Sequence, residues 1–185
     1  MPEFENKTLD DTHVVVLINY LRRHHVLAFK EVARQVGKLT ILVSTPMEGD
    51  RSWLPEWEGL DVIVQKNSTI TLSKSSGYDE KNFIHFPWDT ISQLRRLQPD
   101  VVLSYEMGMR TLFSGLFRIF NRKIPLIIIG NMSNHIESNR GFARRCMRQL
   151  IRRMTDYCTY NGPSCRNYLS GLGIEDSRLL SLIHI

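Results

Sequence analysis

The chain has 185 residues, 42% hydrophobic and 23% charged, with 24 Lys and Arg against 19 Asp and Glu for a net charge of +5. That composition excludes disordered and collagen-like chains, and the length suits one well-buried core rather than two ordinary domains. The cationic excess favours anionic partners such as phosphorylated ligands, lipid headgroups or nucleic acid, and says nothing about fold.

The opening MPEFENKTLDD is acidic and polar, unlike a secretion signal. HVVVLIN (His13 to Asn19) is a continuous β-branched run, the mark of a strand buried on both faces. VLAFKEVARQVG (Val26 to Gly37) places Val26, Phe29, Val32, Ala33 and Val36 at helical spacing, with a glycine stop. KLTILVS (38–44) and LDVIVQ (60–65) are a second and third strand. TPMEGDRSWLPEWEG and KNSTITLSKSSGYDEKN, rich in turn formers, are expected to be long loops.

DTISQLRRLQP (89–99) has an Asp N-cap candidate, an apolar stripe and a proline stop, and DVVLSY (100–105) is the fourth strand. An apolar helix, MRTLFSGLFRIFNR (109–122), leads to the fifth strand, IPLIIIG (124–130). That apolar run is far shorter than the 18 or more residues of a membrane span. GFARRCMRQLIRRMT (141–155) is a helix, DYCTYN (156–161) a sixth strand, PSCRNYLSGLG (163–173) a helix with proline near its start, and RLLSLIHI a closing strand-like run. Cys146, Cys158 and Cys165 lack a CxxC spacing and are expected to be reduced thiols used in packing.

Strands alternating with helices predict a Rossmann-like, doubly wound α/β domain over residues 1–185, with a mainly parallel sheet covered on both faces. Such sheets bind ligands beyond the carboxyl ends of their strands, at a switch point. After the first strand come Tyr20, Arg22, Arg23 and His24, without the glycines of a dinucleotide turn. Arginine forks suit phosphate oxygens, and cations at a helix start oppose its macrodipole, so the cluster is either a solvated cap or an anion contact. After the fourth strand come Tyr105, Glu106 and Arg110, where Glu106 either caps the next helix or accepts ligand hydroxyls. After the fifth come Asn131 and His135, the latter either inert or a general base.

The helix from Asn139 carries Arg140, Arg144, Arg145, Arg148, Arg152 and Arg153, with Phe142, Cys146, Leu150 and Met154 on the opposite side. It is either a scaffold helix packed on the sheet by that apolar side or a surface drawn to anionic lipid. Nucleic acid ranks lower, for want of a basic patch interleaved with aromatics. No Cys/His/Asp set has metal-ligand spacing, so no metal is expected.

With the segments in this order, the chain resembles the N-terminal, acceptor-binding half of a GT-B glycosyltransferase of the retaining family 4 type. LRRLQPDVVLSYE, IPLIIIGNMSNH and MTDYCTYNGPSCRNYLSGLGIEDSRLLSLIHI carry the resemblance, which covers nearly the whole chain. It departs from the family in two places: Leu21 to His24 replace a Gly-rich turn, and Gly130 and Asn131 stand where the family's histidine lies, with His135 further on.

The resemblance implies transfer of a sugar from a nucleotide-sugar to a glycan or lipid-linked acceptor, with the nucleotide-sugar as co-substrate and no other cofactor. It implies a donor-binding domain beyond Ile185, so that this chain is a fragment, inactive by itself. A cytoplasmic location is expected, with peripheral attachment at the inner membrane face. His135 and Glu106 are the candidate catalytic residues; Tyr20, Arg22, Arg23, His24, Tyr105, Arg110 and Asn131 are the substrate-binding ones. The alternative is a non-catalytic α/β module that binds a phosphorylated ligand or an anionic membrane.

Overall fold

The computed structural model describes residues 8–48, 57–73, 81–133 and 141–182. The chain runs β1 (His13–Ile18), α1 (Arg23–Gln35), β2 (Lys38–Val43) and β3 (Asp61–Val64), then a hairpin of β4 (Asn67–Ser73) and β5 (Lys81–Pro87). It continues through α2 (Thr90–Leu97), β6 (Val101–Tyr105), α3 (Met109–Phe120), β7 (Leu126–Ile129), α4 (Phe142–Met154), β8 (Tyr157–Tyr160), α5 (Pro163–Gly171) and β9 (Leu179–Ser181). Seven strands form one sheet in the order β3-β2-β1-β6-β7-β8-β9, and every pairing in it is parallel. This is a Rossmann-like α/β fold.

The β-branched run of β1 is what a central strand requires. Val14, Val16 and Ile18 pack on one face with Phe29 of α1, whereas Val15 and Leu17 meet Leu94 of α2 and Phe117 of α3 on the other. Both faces are therefore covered, and each such side chain contributes about 1.5–3 kcal/mol of burial. A third cluster joins Ile128 and Cys158 of the sheet to Ile151 and Met154 of α4 and Leu169 of α5. Burial pushes the Cys158 thiol up to about 12, so it packs as an apolar group. Cys165 is buried as well, whereas Cys146 on α4 is exposed.

Four expectations need correction. The stretch after β3 expected to be a loop holds the antiparallel pair β4–β5, whose register runs from Asn67↔Pro87 to Ser73↔Lys81. Alternation in Thr69-Ile70-Thr71-Leu72 is the period-two signal, obscured by side chains that also favour turns. α1 begins at Arg23, three residues before the apolar stripe, because the Nδ1 of His25 accepts the backbone N–H of Arg22 at 3.4 Å. Asp89 occupies the N-cap position of α2 without a side-chain cap bond; its carboxylate accepts from Gln93 at 2.9 Å and Gln65 at 3.4 Å.

The fourth concerns α4. Of the stripe expected to pack on the sheet, Met154 is buried, but Phe142, Cys146 and Leu150 are exposed. The buried side of the helix is Arg148, Ile151 and Met154. Arg148 is accommodated there because its guanidinium donates to the Tyr168 hydroxyl and stacks 5.4 Å from that ring's centre.

Candidate functional site

The strand order reverses beside β1, whose neighbours are β2 on one side and β6 on the other. In doubly wound sheets the crevice beyond this point receives ligands. The side chains at its two faces differ in kind.

On the α1 face the chain leaves β1 through Tyr20 and Leu21, both buried. The Tyr20 hydroxyl accepts a hydrogen bond from Nε of Arg22 at 3.0 Å, and the guanidinium lies 5.4 Å from the ring centre. The phenol thus holds the exposed Arg22 in one posture, with Arg23 and His24 exposed beside it. The His25 ring stands edge-on to His24 at 4.2 Å and to Tyr105 at 5.3 Å, between centroids. Burial, with His24 and Arg22 adding to it, lowers the His25 pKa to about 4. His25 is consequently neutral near pH 7, whereas Arg22 and Arg23 bring fixed positive charge to this rim. Burial raises the Tyr105 phenol.

On the α3 face the chain leaves β6 at Glu106, with φ at 64°. A non-glycine residue in the left-handed region is uncommon and costs roughly 1–2 kcal/mol. The turn is held by Thr111, whose hydroxyl lies 2.8 Å from that of Ser104 and donates to the Glu106 carbonyl at 2.5 Å. Gly108, not Glu106, is the N-cap of α3, so the carboxylate does not cap the helix. It lies 4.0 Å from Nη2 of Arg110 and is largely exposed, whereas Arg110 is buried. Burial lowers the Arg110 pKa, opposed by the carboxylates of Glu106 and Glu48.

Glu48, in the segment after β2, lies 3.5 Å from Nε2 of the buried His85 on β5. The other His85 nitrogen is 3.1 Å from Asn67 and 3.2 Å from Thr69, which fixes the ring to the hairpin. Asn19 and Ser44, which follow β1 and β2, complete this face: the Asn19 Oδ1 and the Ser44 hydroxyl are buried without a hydrogen-bond partner among the described residues.

At the β7 exit, Gly130 is buried, and a Cβ there would lie 2.6 Å from the Thr159 carbonyl oxygen. The close approach of β7 and β8 thus requires glycine. Exposed Asn131 accepts a hydrogen bond from Asn161 at 3.1 Å, so it pairs with the β8 exit. His135 lies outside the described residues.

The structure therefore brings Tyr20 to Arg22 and Glu106 to Arg110, and it adds His25 against Tyr105. Sequence reasoning missed Asn19, Ser44, Glu48 and His85, which four separate segments supply. Their shared signal was position at a strand's carboxyl end, or, for His85, alternation within β5. Among the described residues no three His, Cys, Asp or Glu side chains gather as a metal site.

No family model and no curated protein matches the chain. Solved structures do. A UDP-GlcNAc 2-epimerase from Methanocaldococcus jannaschii matches with a TM-score of 0.53 and 13% identity, covering 92% of this chain and 45% of its own. One from Rickettsia bellii matches at 0.52 and 15%, covering 92% and 44%. Sucrose-phosphate synthase from Thermosynechococcus elongatus matches at 0.51 and 8%, covering 92% and 47%. The chain has the fold of one half of a GT-B enzyme. It spans less than half the length of these proteins, and at such identities the likeness establishes the fold alone.

Proposed function

We propose that the chain is the acceptor-binding half of a glycosyltransferase that takes a sugar from a nucleotide-sugar and delivers it to a glycan or lipid-linked acceptor. The observation that carries this reading is Arg22, exposed at the β1 exit and held there by the Tyr20 hydroxyl at 3.0 Å. A cation fixed at the reversal point of the sheet suits an anionic group on the acceptor or the departing diphosphate. Breaking a glycosidic bond builds an oxocarbenium-like centre and a charged leaving group, which fixed cations stabilise without reorganising. In this scheme Arg22 and Arg23 contact the phosphate, Glu106 and Asn131 orient acceptor hydroxyls, and His135 takes the acceptor proton. The donor nucleotide is held by a second domain.

The test is binding. In saturation-transfer NMR, saccharides and phosphorylated saccharides receive magnetisation from this chain, whereas the uridine of UDP does not. Arg22→Gln/Arg23→Gln weakens the phosphorylated sugars about tenfold, or roughly 1.4 kcal/mol, and leaves the fold unchanged. Sugar transfer by this chain alone, or phosphorylated-sugar binding undiminished by the double substitution, overturns the reading.

The arginine-rich helix supports an accompanying membrane contact. Phe142 is 83% and Leu150 47% exposed on α4, and Leu116 and Phe120 are exposed on the adjoining α3, with Arg145 and Arg153 exposed as well. Apolar and cationic side chains together suit an anionic bilayer surface. No helix among the described residues is long and apolar enough to cross a membrane. Sedimentation with phosphatidylglycerol vesicles, but not with phosphatidylcholine vesicles, is the expected outcome, lost in Phe142→Ser/Leu150→Ser.

A further inference from the structure

Arg110 is 5% exposed, yet its Nε and Nη1 have no hydrogen-bond partner among the described residues. Orphaned buried donors are rare in folded proteins, because each forfeits its bonds to water without replacement. Among the described residues, the ion-pair contact of its guanidinium is the long one to Glu106, at 4.0 Å. A buried arginine so loosely paired is commonly matched in stability by an apolar side chain of similar volume.

Its neighbours repeat the pattern. Register places Leu17 of β1 opposite Ser104 of β6, so Asn19 comes level with Glu106. The backbone N–H of Ser44 donates to the Ile18 carbonyl, which puts Ser44 beside the same exit. Val15 and Leu17 face α2 and α3, as does Leu42 of β2, so alternation directs Asn19 and Ser44 to that face too. The Arg110 guanidinium feels carboxylates from the β6 exit (Glu106) and from the β2 exit (Glu48), and β1 is the strand between those two. Asn19 and Ser44 therefore stand at the strand exit flanked by Glu48 and Glu106, the two carboxylates that act on Arg110, and on the face that carries α3.

Their chemistry selects the ligand. Arg110 offers donors only, the Asn19 Oδ1 an acceptor only, and the Ser44 hydroxyl either role. Two carboxylates near one guanidinium leave no surplus positive charge, which disfavours phosphate. A hydroxyl donates and accepts at once, so a ring bearing several hydroxyls can satisfy all three. We propose that Arg110, Asn19 and Ser44, flanked by Glu48 and Glu106, form a binding site for an uncharged, hydroxyl-rich ligand of the size of a hexose. The site lies on the α3 face of the β1 exit, behind the cationic rim of Arg22. The assignment deepens the acceptor reading and rests on it for the role of the bound sugar, but not for the site itself.

The experiment uses this chain, with glucose, N-acetylglucosamine and myo-inositol as probes and inorganic phosphate as the control. The readouts are the melting midpoint and the Arg110 side-chain Nε–H resonance. At least one saccharide shifts that resonance and raises the midpoint, and phosphate does neither. Without ligand, Arg110→Met melts no lower than the wild type, and it loses the saccharide response; Ser44→Ala melts as the wild type does and responds more weakly. A lower midpoint for Arg110→Met shows a structural arginine and overturns the site. So does a resonance that no saccharide moves, or a saccharide response that survives both substitutions. A response to phosphate that vanishes in Arg110→Met overturns the ligand class. A saccharide response in a protein whose partner half transfers no sugar removes the transfer reading and leaves this site standing.

Discussion

His25 packs edge-on against Tyr105, with ring centroids 5.3 Å apart and planes inclined by 63°, and so ties the first turn of α1 to the end of β6. Phe29, one turn further along α1, meets the same Tyr105 ring at 6.0 Å. The contact places a titratable ring inside an aromatic cluster, and burial, then the nearby His24 and Arg22, lower its pKa to about 4. A lowered histidine pKa means that the unfolded chain takes up the proton first as pH falls. The stability held by neutral His25 is thus complete above the unfolded value of about 6.5 and is lost progressively between there and about 4. His13, also lowered by burial, works in the same direction. His25→Phe keeps the stacking and removes one titration, so its melting midpoint falls less than that of the wild type over this window. A His25 imidazole that titrates near 6.5 by NMR, or parallel pH profiles, would contradict the assignment.

Glu106 turns the chain from β6 towards α3 with φ at 64°, and its carboxylate is largely exposed. Two substitutions separate backbone from side chain, since both Glu106→Gly and Glu106→Val delete the carboxylate. Glycine adopts this conformation freely, whereas a β-branched side chain meets the following carbonyl. Glu106→Val should unfold in urea at lower stability than Glu106→Gly by about 2 kcal/mol. Equal stabilities would mean that the turn relaxes to negative φ once the carboxylate is gone.

The parallel strands were legible because each is a short β-branched or apolar run, and the order of strands and helices fixes a doubly wound sheet with few alternatives. The hairpin was not, since Thr, Ser and Asn serve turns as readily as an edge pair whose outer face meets water. The contact face of α4 was misread for a related reason. A helical wheel assigns Arg148 to solvent, and only the arrival of Tyr168 from α5 makes its burial tolerable. At the site, Arg22, Glu106 and Arg110 were found from their place after a strand. That Arg110 is buried, and that Glu48 from the β2 exit acts on it, depends on packing between segments as far apart as residues 48 and 110. Local pattern carries no trace of such contacts.

Asp156, just before β8, is a bridging carboxylate outside the site. It accepts Nε of Arg118 at 3.1 Å, a second, shorter contact from the same guanidinium, and the backbone N–H of Leu126 at 2.9 Å. The pair is mostly buried, with side-chain exposures of 25% for Arg118 and 14% for Asp156. One carboxylate therefore joins α3, the start of β7 and the start of β8. Asp156→Ala strands a largely desolvated guanidinium and the Leu126 N–H together, and should cost about 3 kcal/mol in chemical denaturation. Asp156→Asn keeps an acceptor for Leu126 and loses the charge, so its cost should fall to about half of that. Arg118→Met removes the stranded cation and fills its volume, and added to Asp156→Ala it should recover part of the loss. A double variant no more stable than Asp156→Ala would show that the lost Leu126 bond, and not the unpaired guanidinium, accounts for the effect.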